Sequence, residues 1–262
     1  MPEASGNRMK RPAIAVAIVA FAIAIASSQA AAVDMSSDMP AAQAEIQIGL
    51  CAPGDRIVQT LALRPRGSPI DVWQFDDDAL NLFGHGLRFR LRVQESGRAE
   101  LTLKVANQDC ARLDPALVPQ TDGKCEYDLY GGSVSGTVSL TRRLTARSTR
   151  DLLGGQATLA QALGPAQVRY LRDAVGLWPL PSGVHSLGPM QVRTYRTKDG
   201  HYDVDISQLP GGQDFVEISR KVALLDASAA MKDMEAYLSR SGIAMCADQS
   251  SQARSKLRAL LH

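Results

Sequence analysis

The segment Leu87-Arg-Phe-Arg-Leu-Arg-Val93 alternates apolar and basic residues through its whole length. Because successive side chains of a β-strand point to opposite faces, this alternation predicts a strand with Arg88, Arg90 and Arg92 on one face. Three cations side by side repel one another unless an anion or carboxylates neutralise them. The segment therefore predicts a strand whose polar face either meets solvent or holds an anion.

The same period of two recurs before and after this segment. It predicts strands over Glu45–Leu50, Glu100–Val105, Val134–Leu140, Met190–Thr197, Tyr202–Ile206 and Asp214–Val222. Helical spacing predicts helices over Thr149–Leu163, Ala166–Val175, Asp226–Ser239 and Gln252–Leu261. Strands, helices, strands and helices in this order predict an α+β fold with a mainly antiparallel sheet.

Charged residues occupy the polar faces of several other predicted strands. They include Lys104, Lys124, Glu126, Asp128, Asp203, Asp205, Glu217 and Lys221. Two interpretations stay open: the solvated face of a half-buried sheet, or a closed barrel with a polar interior. In the barrel, basic side chains would hold phosphate oxygens and carboxylates would hold Mg²⁺ or Mn²⁺.

The N-terminus has the pattern of an export signal. Arg8, Lys10 and Arg11 precede the apolar run Ala13–Ala26, and small residues follow at Ser28 and Ala30. As a helix this run spans roughly 21 Å, short of the ~30 Å hydrocarbon core of a bilayer. It predicts a signal peptide over residues 1–30, with an uncleaved membrane anchor as the alternative. A disordered lead-in over 31–44 and one domain over 45–262 follow, in a periplasmic or secreted protein.

The charge balance excludes one class of function. The chain has 262 residues, with 29 Lys and Arg against 27 Asp and Glu, a net charge of +2. That excess lies within the first thirty residues, so the remainder is neutral. Proteins that bind nucleic acid through bulk charge show a basic excess, so sequence-specific nucleic-acid binding is not expected.

Four cysteines fit an exported chain. Cys51, Cys110, Cys125 and Cys246 form no Cys-x-x-Cys motif, which argues against a zinc ribbon. Two disulfides are expected, with three pairings open and free buried thiols as the alternative. Cys110 with Cys125 would close the loop between them, and Cys51 with Cys246 would then join the two ends of the domain.

Several segments, in order along the chain, are similar to the CYTH, or triphosphate tunnel metalloenzyme, family. They are Phe75–Leu80, Gly86–Arg90, Leu101–Lys104, Tyr202–Asp205, Gly211-Gly212, Phe215–Ser219 and Ser255–Leu261. The resemblance implies a mainly antiparallel eight-stranded β-barrel with flanking helices, enclosing a tunnel for triphosphate-like groups and Mg²⁺ or Mn²⁺. Members of the family hydrolyse inorganic triphosphate, thiamine triphosphate or RNA 5′-triphosphates, or cyclise ATP.

The resemblance also implies roles for individual residues. Phosphate contacts would come from Arg88, Arg90, Lys104, Arg193 and Lys256. The metal ligands would be Glu126, Asp205 and Glu217, and the catalytic acids would be Glu45 and Glu217.

The chain departs from the family pattern at both of its acidic motifs. The opening E-x-E-x-K strand occurs as Glu45, Gln47 and Gly49, and the late E-x-E pair occurs as Glu217 and Ser219. Fewer acids weaken metal binding, so two hypotheses follow. One is a tunnel that binds phosphate-rich anions, with weak metal-dependent triphosphatase or polyphosphatase activity. The other is a non-catalytic periplasmic module that holds a ligand or partner in the same barrel.

Overall fold

The computed structural model describes residues 42–119, 123–130 and 133–261. The predicted signal peptide and nearly all of the lead-in lie outside these residues, so export stays a prediction. Among the described helices, none has the length and apolar character needed to cross a membrane.

Ten strands are described. They are β1 (Gln43–Leu50), β2 (Arg64–Pro65), β3 (Ile70–Asp76), β4 (Leu87–Gln94), β5 (Ala99–Val105), β6 (Gly123–Tyr130), β7 (Ser133–Leu144), β8 (His185–Arg196), β9 (Asp203–Gln208) and β10 (Asp214–Ala223). The described helices are α1 (Gly54–Thr60), α2 (Asn81–Gly84), α3 (Ala146–Leu153), α4 (Leu159–Ala162), α5 (Pro165–Tyr170), α6 (Ala227–Arg240) and α7 (Gln252–Ala259). A π-helical turn follows α5 at Leu171–Val175, and a 3₁₀ turn precedes α6 at Leu224–Asp226.

Nine of the strands close into a barrel. Their order is β8-β3-β4-β5-β7-β6-β1-β10-β9, and β9 pairs back onto β8, while the two-residue β2 adds to the edge of β8. Every pair in this ring is antiparallel except β1 with β6, which run in parallel. The predicted α+β barrel with flanking helices is confirmed, but its eight antiparallel strands are corrected to nine mixed ones. An odd number of strands cannot alternate in direction around a closed ring, so one parallel pair is unavoidable.

The hydrophobic core lies outside the barrel, between its strands and the helices. On one side Ile46 and Ile218 pack against Met234 and Leu238 of α6. On the other side an apolar cluster forms between β4, β5 and β7 and the segment from α3 to the π turn, with these fully buried members: Phe89, Leu91, Leu101, Leu103, Leu140, Tyr170 and Leu171. On β1, β4 and β5 the apolar half of the alternation therefore faces outward, which turns the polar half toward the barrel interior.

The carboxylate of Asp76 stabilises the connection between β3 and α2. Its Oδ1 accepts hydrogen bonds from the amides of Asp77 and Leu82, and its Oδ2 accepts one from the amide of Phe83. These amides are unpaired donors at the start of a short helix, so the buried carboxylate satisfies them. Asp76 thereby holds α2 at the barrel rim, where Phe83 borders the interior.

The C-terminal segment is fastened to the end of β1. Disulfides join Cys51 to Cys246 and Cys110 to Cys125, so all four cysteines are paired. The side-chain amide of Gln249 accepts a hydrogen bond from the Gly49 amide at 2.7 Å and donates one to the Gly49 carbonyl at 2.9 Å. These attachments set α7 against the end of the barrel where β1 stops.

Candidate functional site

The barrel encloses a cavity of about 360 Å³, and α7 covers part of it. Its basic lining consists of Arg88, Arg90, Arg92, Lys104 and Lys256. Its acidic lining consists of Asp128, Asp205 and Glu217. The lining therefore carries more basic than acidic side chains, although the chain beyond its first thirty residues is neutral.

Strand register brings four of these cations together. Arg88 lies directly opposite Lys104 across the β4–β5 pair, while Arg90 and Arg92 follow on the same face of β4. Lys256 approaches from α7, where its ammonium lies 3.3 Å from the hydroxyl of Ser207. Basic side chains from β4, β5 and α7 thus point into one space.

The pKa values in this cluster are lowered first by burial and then by neighbouring like charges. Burial, together with the charges of Arg92 and Arg88, lowers the pKa of Arg90 to about 9. Burial, together with Arg90 and Arg88, lowers the pKa of Lys104 to about 8. Burial also lowers the pKa of Lys256. An anion placed among these groups would relieve both their repulsion and their loss of hydration.

Two of the arginines have donors that the described residues leave unpaired. The Nε atoms of Arg90 and Arg92 are buried and have no hydrogen-bond partner within the described chain. A buried donor on a charged group that lacks an acceptor costs about 1–3 kcal/mol or more. Two arginines that border the cavity are therefore incompletely hydrogen-bonded within the described residues.

Two carboxylates face each other across neighbouring strands. Asp205 of β9 lies opposite Glu217 of β10, and Asp205 accepts a hydrogen bond of 2.6 Å from the hydroxyl of Thr194. Burial raises the pKa of Glu217, with Lys256 acting against this shift and Asp205 adding to it. The cavity thus has an acidic corner beside its basic wall.

The chain resembles known proteins in its three-dimensional structure. No protein-family model and no curated protein sequence matches the chain. A candidate adenylyl cyclase from Hippeastrum, whose dominant activity is that of a triphosphatase, superposes with a TM-score of 0.53 at 16% identity, covering 83% of this chain and 98% of its own. A candidate adenylate cyclase from Bacillus halodurans gives 0.52 at 13% identity, covering 81% and 97%. The chain has the CYTH-type triphosphate tunnel fold.

Within the tunnel, the inward positions of Arg88, Arg90, Lys104, Lys256, Asp205 and Glu217 agree with the faces expected from the sequence. Arg92 borders the tunnel as well, although no role was predicted for it. The alternation of β4 predicts this face for Arg92, as it does for Arg88 and Arg90. Gln47, Gln74, Tyr130 and three hydroxyl residues of β7 (Ser133, Ser135 and Thr137) also line the tunnel.

The placement of Arg193 corrects one prediction. Arg193 is exposed on the outer wall, where its guanidinium donates to the Gln191 side chain at 3.0 and 3.2 Å. Its neighbour Val192 borders the tunnel instead. Because adjacent strand residues point to opposite faces, a basic residue one position away from the inner face cannot reach a ligand inside. The predicted phosphate contact from Arg193 is therefore wrong.

Glu126 does not join the other predicted metal ligands. Its carboxylate lies 2.5 Å from the ammonium of Lys124 and 2.8 Å from that of Lys221. Two lysines already neutralise it, and it is absent from the lining that Asp205 and Glu217 share. Within residues 42–119, 123–130 and 133–261, no three acidic, histidine or cysteine side chains are grouped to hold a metal ion. The predicted trio is corrected to a pair.

The two predicted catalytic acids also lie apart. Glu45 is opposite Lys221 in the β1–β10 pair, whereas Glu217 is opposite Gly49. Four residues along a strand correspond to roughly 13 Å. The inner positions between them are held by Gln47 and Ser219, which carry no charge. Uncharged side chains therefore separate Glu45 from Glu217 along this strand pair.

Any side chain in place of Gly49 would press against its neighbours. A Cβ atom at this position would lie 3.0 Å from Cγ of Gln252 and 3.1 Å from the Tyr130 hydroxyl. Both side chains pack where β1 meets the C-terminal segment. The glycine that replaces the family's lysine is therefore matched to close packing of this segment.

The remaining carboxylate pair fits a divalent cation in one restricted way. Mg²⁺ often takes one or two carboxylates from a protein and the rest of its oxygen ligands from phosphates and water. Asp205 and Glu217 supply two carboxylates, so the donor set fits a cation that arrives with a phosphate ligand. It does not fit a cation held by the protein alone.

Proposed function

We propose that the tunnel binds a phosphate-rich anion of the triphosphate class. The observation that carries this proposal is the pair of buried Nε donors of Arg90 and Arg92, which have no partner within the described residues. Hydrogen bonds from arginine to phosphate are charge-assisted and can be bidentate. Lys104 adds an ammonium group from β5, which pairs with β4, and Lys256 adds another from α7.

Enclosure strengthens these contacts. Inside a protein the effective dielectric constant is lower than in water, so each charge-assisted hydrogen bond is stronger than at the surface. The cationic groups are already confined and partly dehydrated, and the depressed pKa values of Arg90 and Lys104 report this. An anion that enters the tunnel therefore meets preorganised donors.

We propose ligand binding, with turnover weak or missing. Phosphoryl transfer depends on several groups that position and neutralise the reacting phosphate. Asp205 and Glu217 would hold Mg²⁺ or Mn²⁺ together with the anion, and the ion would supply neutralisation of phosphate charge. The separation of Glu45 from Glu217 and the neutral Gln47 and Ser219 support a binding role.

We also propose that the protein works outside the cytoplasm, in the periplasm or as a secreted protein. The predicted signal peptide supports this location. The disulfides Cys51–Cys246 and Cys110–Cys125 support it independently, because such bonds persist in oxidising compartments.

Calorimetry with inorganic tripolyphosphate tests the binding proposal. Charge-assisted hydrogen bonds contribute about 1.5–3 kcal/mol each, so about four of them supply the ~8 kcal/mol that micromolar affinity needs. We expect micromolar binding, and at least hundredfold weaker binding of sulfate, which offers a single tetrahedral anion to the same cations. Absence of heat from millimolar tripolyphosphate would refute the proposal.

Phosphate release from tripolyphosphate with Mg²⁺ or Mn²⁺ measures turnover in the same preparation. Rapid release that Arg90→Gln abolishes would replace the binding role with an enzymatic one. Mn²⁺ titrated without the anion is expected to give no heat, since two carboxylates alone are a poor site.

The affinity of the tunnel should depend on the protonation of Lys104. Its pKa of about 8 means that the ammonium is charged at pH 7 and mostly neutral at pH 9. Only the charged form attracts an anion, so binding takes up a proton above pH 8. The ratio of affinities of the unmodified protein and Lys104→Met should fall by about tenfold from pH 7 to pH 9.

This ratio removes the titration of the anion, because the same anion is used with both proteins. Calorimetry at fixed ionic strength gives the two affinities. A ratio that stays constant across this range would show that Lys104 does not contact the ligand.

A further inference from the structure

The amine of Lys104 borders the cavity without a carboxylate partner. Another lysine of the barrel, Lys221, pairs with Glu126 at 2.8 Å. No carboxylate oxygen of the described residues lies within 4.0 Å of the Lys104 ammonium, and Asp128, an acid of the same lining, contacts Arg88 at 3.9 Å instead. The Lys104 amine is therefore open to a small molecule that enters the cavity.

Guanidinium groups lie beside this amine on the β4 side. Arg88 is directly opposite Lys104, and Arg90 is the diagonal neighbour on the same face. Diagonal neighbours on one face of a sheet are about 7–8 Å apart, within reach of two long side chains. On the other side of Lys104, β7 presents Ser139, which is buried and uncharged. A negative charge formed at the amine would therefore meet two guanidinium groups.

The same surroundings favour the uncharged form of the amine. Burial, together with the charges of Arg90 and Arg88, lowers the pKa of Lys104 to about 8, while Asp128 and Glu45 act in the opposite direction. About half of the molecules therefore carry a neutral amine at pH 8. A lysine amine that is desolvated beside other cations is a nucleophile for this reason.

Arg90 also has a donor that a new anion would satisfy. Its Nε atom is buried and has no acceptor within residues 42–119, 123–130 and 133–261. Arginine and planar anions of the carboxylate type form charge-assisted hydrogen bonds that are often bidentate. A carboxylate-like group attached to Lys104 would therefore find its counter-charge and its donor already in place.

We propose that Lys104 is a carbamate site, at which the neutral amine adds CO₂ when no phosphate ligand is bound, and that Arg88 and Arg90 hold the product. The Nζ atom forms a bond to the carbon of CO₂, one carbon–oxygen π pair moves onto oxygen, and one proton passes from nitrogen to water. No oxidant or reductant is needed. The product carries a negative charge where the protonated lysine carried a positive one.

The carbamate and a phosphate ligand compete for the tunnel. Both use the guanidinium groups of Arg88 and Arg90, and the negative charge on the carbamate repels a phosphate. This competition rests on the proposed function, whereas carbamate formation itself does not. Abundant CO₂ is therefore expected to weaken phosphate binding.

Labelling with ¹³C-bicarbonate at pH 8, which supplies labelled CO₂, tests the proposal. Carbon NMR of the unmodified protein should show a carbamate signal, and methylation with trimethyloxonium followed by peptide mass spectrometry should locate it on Lys104. Lys104→Arg keeps the positive charge, removes the nucleophilic amine and should abolish the signal. Arg90→Gln should reduce it by about threefold or more, because one charge-assisted contact is lost.

Lys221→Arg is the matched control, because it makes the same change at a lysine that Glu126 neutralises. It should leave the signal unchanged. No adduct on Lys104, or equal adducts on Lys104 and Lys221, would overturn the inference. The mass measurement on the unmodified protein decides this even if Lys104→Arg does not fold.

Tripolyphosphate added to the labelled protein tests the competition. At about 100 times its Kd it should lower the carbamate signal at least tenfold, since few molecules then have an empty tunnel. A signal that persists at full tripolyphosphate occupancy would refute the competition. Tripolyphosphate binding with no adduct would refute the carbamate site and leave the proposed function standing. An adduct on Lys104 in a protein that does not bind tripolyphosphate would refute the proposed function alone.

Discussion

Replacing Arg90 with glutamine is expected to weaken tripolyphosphate binding by about ten- to hundredfold. The substitution removes a buried charge whose Nε lacks a partner among the described residues. A hydrogen bond to a charged group contributes about 1.5–3 kcal/mol, and each 1.4 kcal/mol corresponds to a factor of ten in affinity. Calorimetric titration of both proteins at the same ionic strength gives the difference.

Arg193→Gln is the matched control for this experiment. It removes the same charge from the same protein, but from the outer wall, where Arg193 contacts Gln191. Its affinity should stay within about twofold of the unmodified protein, since an exposed charge outside the barrel is screened by salt. Equal losses in the two variants would mean that net charge, and not the tunnel, governs binding.

Removing the Cys51–Cys246 disulfide by the double substitution Cys51→Ser and Cys246→Ser is expected to lower the melting temperature strongly. The bond joins residues separated by 195 positions, and the chain-entropy model assigns about 5 kcal/mol to a loop of that length. For a domain of this size such a loss corresponds to roughly 10–20 °C. Thermal unfolding followed by circular dichroism measures the shift.

The double substitution Cys110→Ser and Cys125→Ser provides the comparison. This disulfide spans 15 positions, for which the same model gives about 3 kcal/mol, so the melting temperature should fall less. Only the loss of Cys51–Cys246 should also weaken anion binding, because that bond helps to hold α7 and its Lys256. If loss of the Cys110–Cys125 bond lowers the melting temperature more than loss of the Cys51–Cys246 bond, this prediction is contradicted.

Local alternation was enough to predict much of the basic wall. Whether a residue of β4 has an odd or an even number (its parity) determines the face on which its side chain lies. Arg88 and Arg90 could therefore be assigned to one face without knowing which strands pair with β4. Lys104 follows from the same rule on β5. The rule did not identify β3, where Ile70–Asp76 mixes polar and apolar residues without strict alternation.

The roles predicted for Arg193, Glu126 and Glu45 depended on more than which face of a strand each residue occupies. Arg193 was assigned from the resemblance, and the parity of β8 puts it outside. Glu126 has the expected parity, but Lys124 and Lys221 neutralise it away from the other acids. Glu45 also has the expected parity, yet it lies four residues along β1 from the position opposite Glu217.

The amino-acid sequence alone determined most of the strands, the alternating faces of β1, β4 and β5, and the cysteine content, because each depends on residues close together in the chain. Tertiary structure decided which side of the sheet became the interior, since that depends on Phe89 and Leu101 packing against distant Tyr170 and Leu171. It also decided the number of strands, the parallel β1–β6 pair, and the meeting of Arg92 with Val72 and Met190. These features depend on pairing between segments far apart in the chain, which no local pattern records.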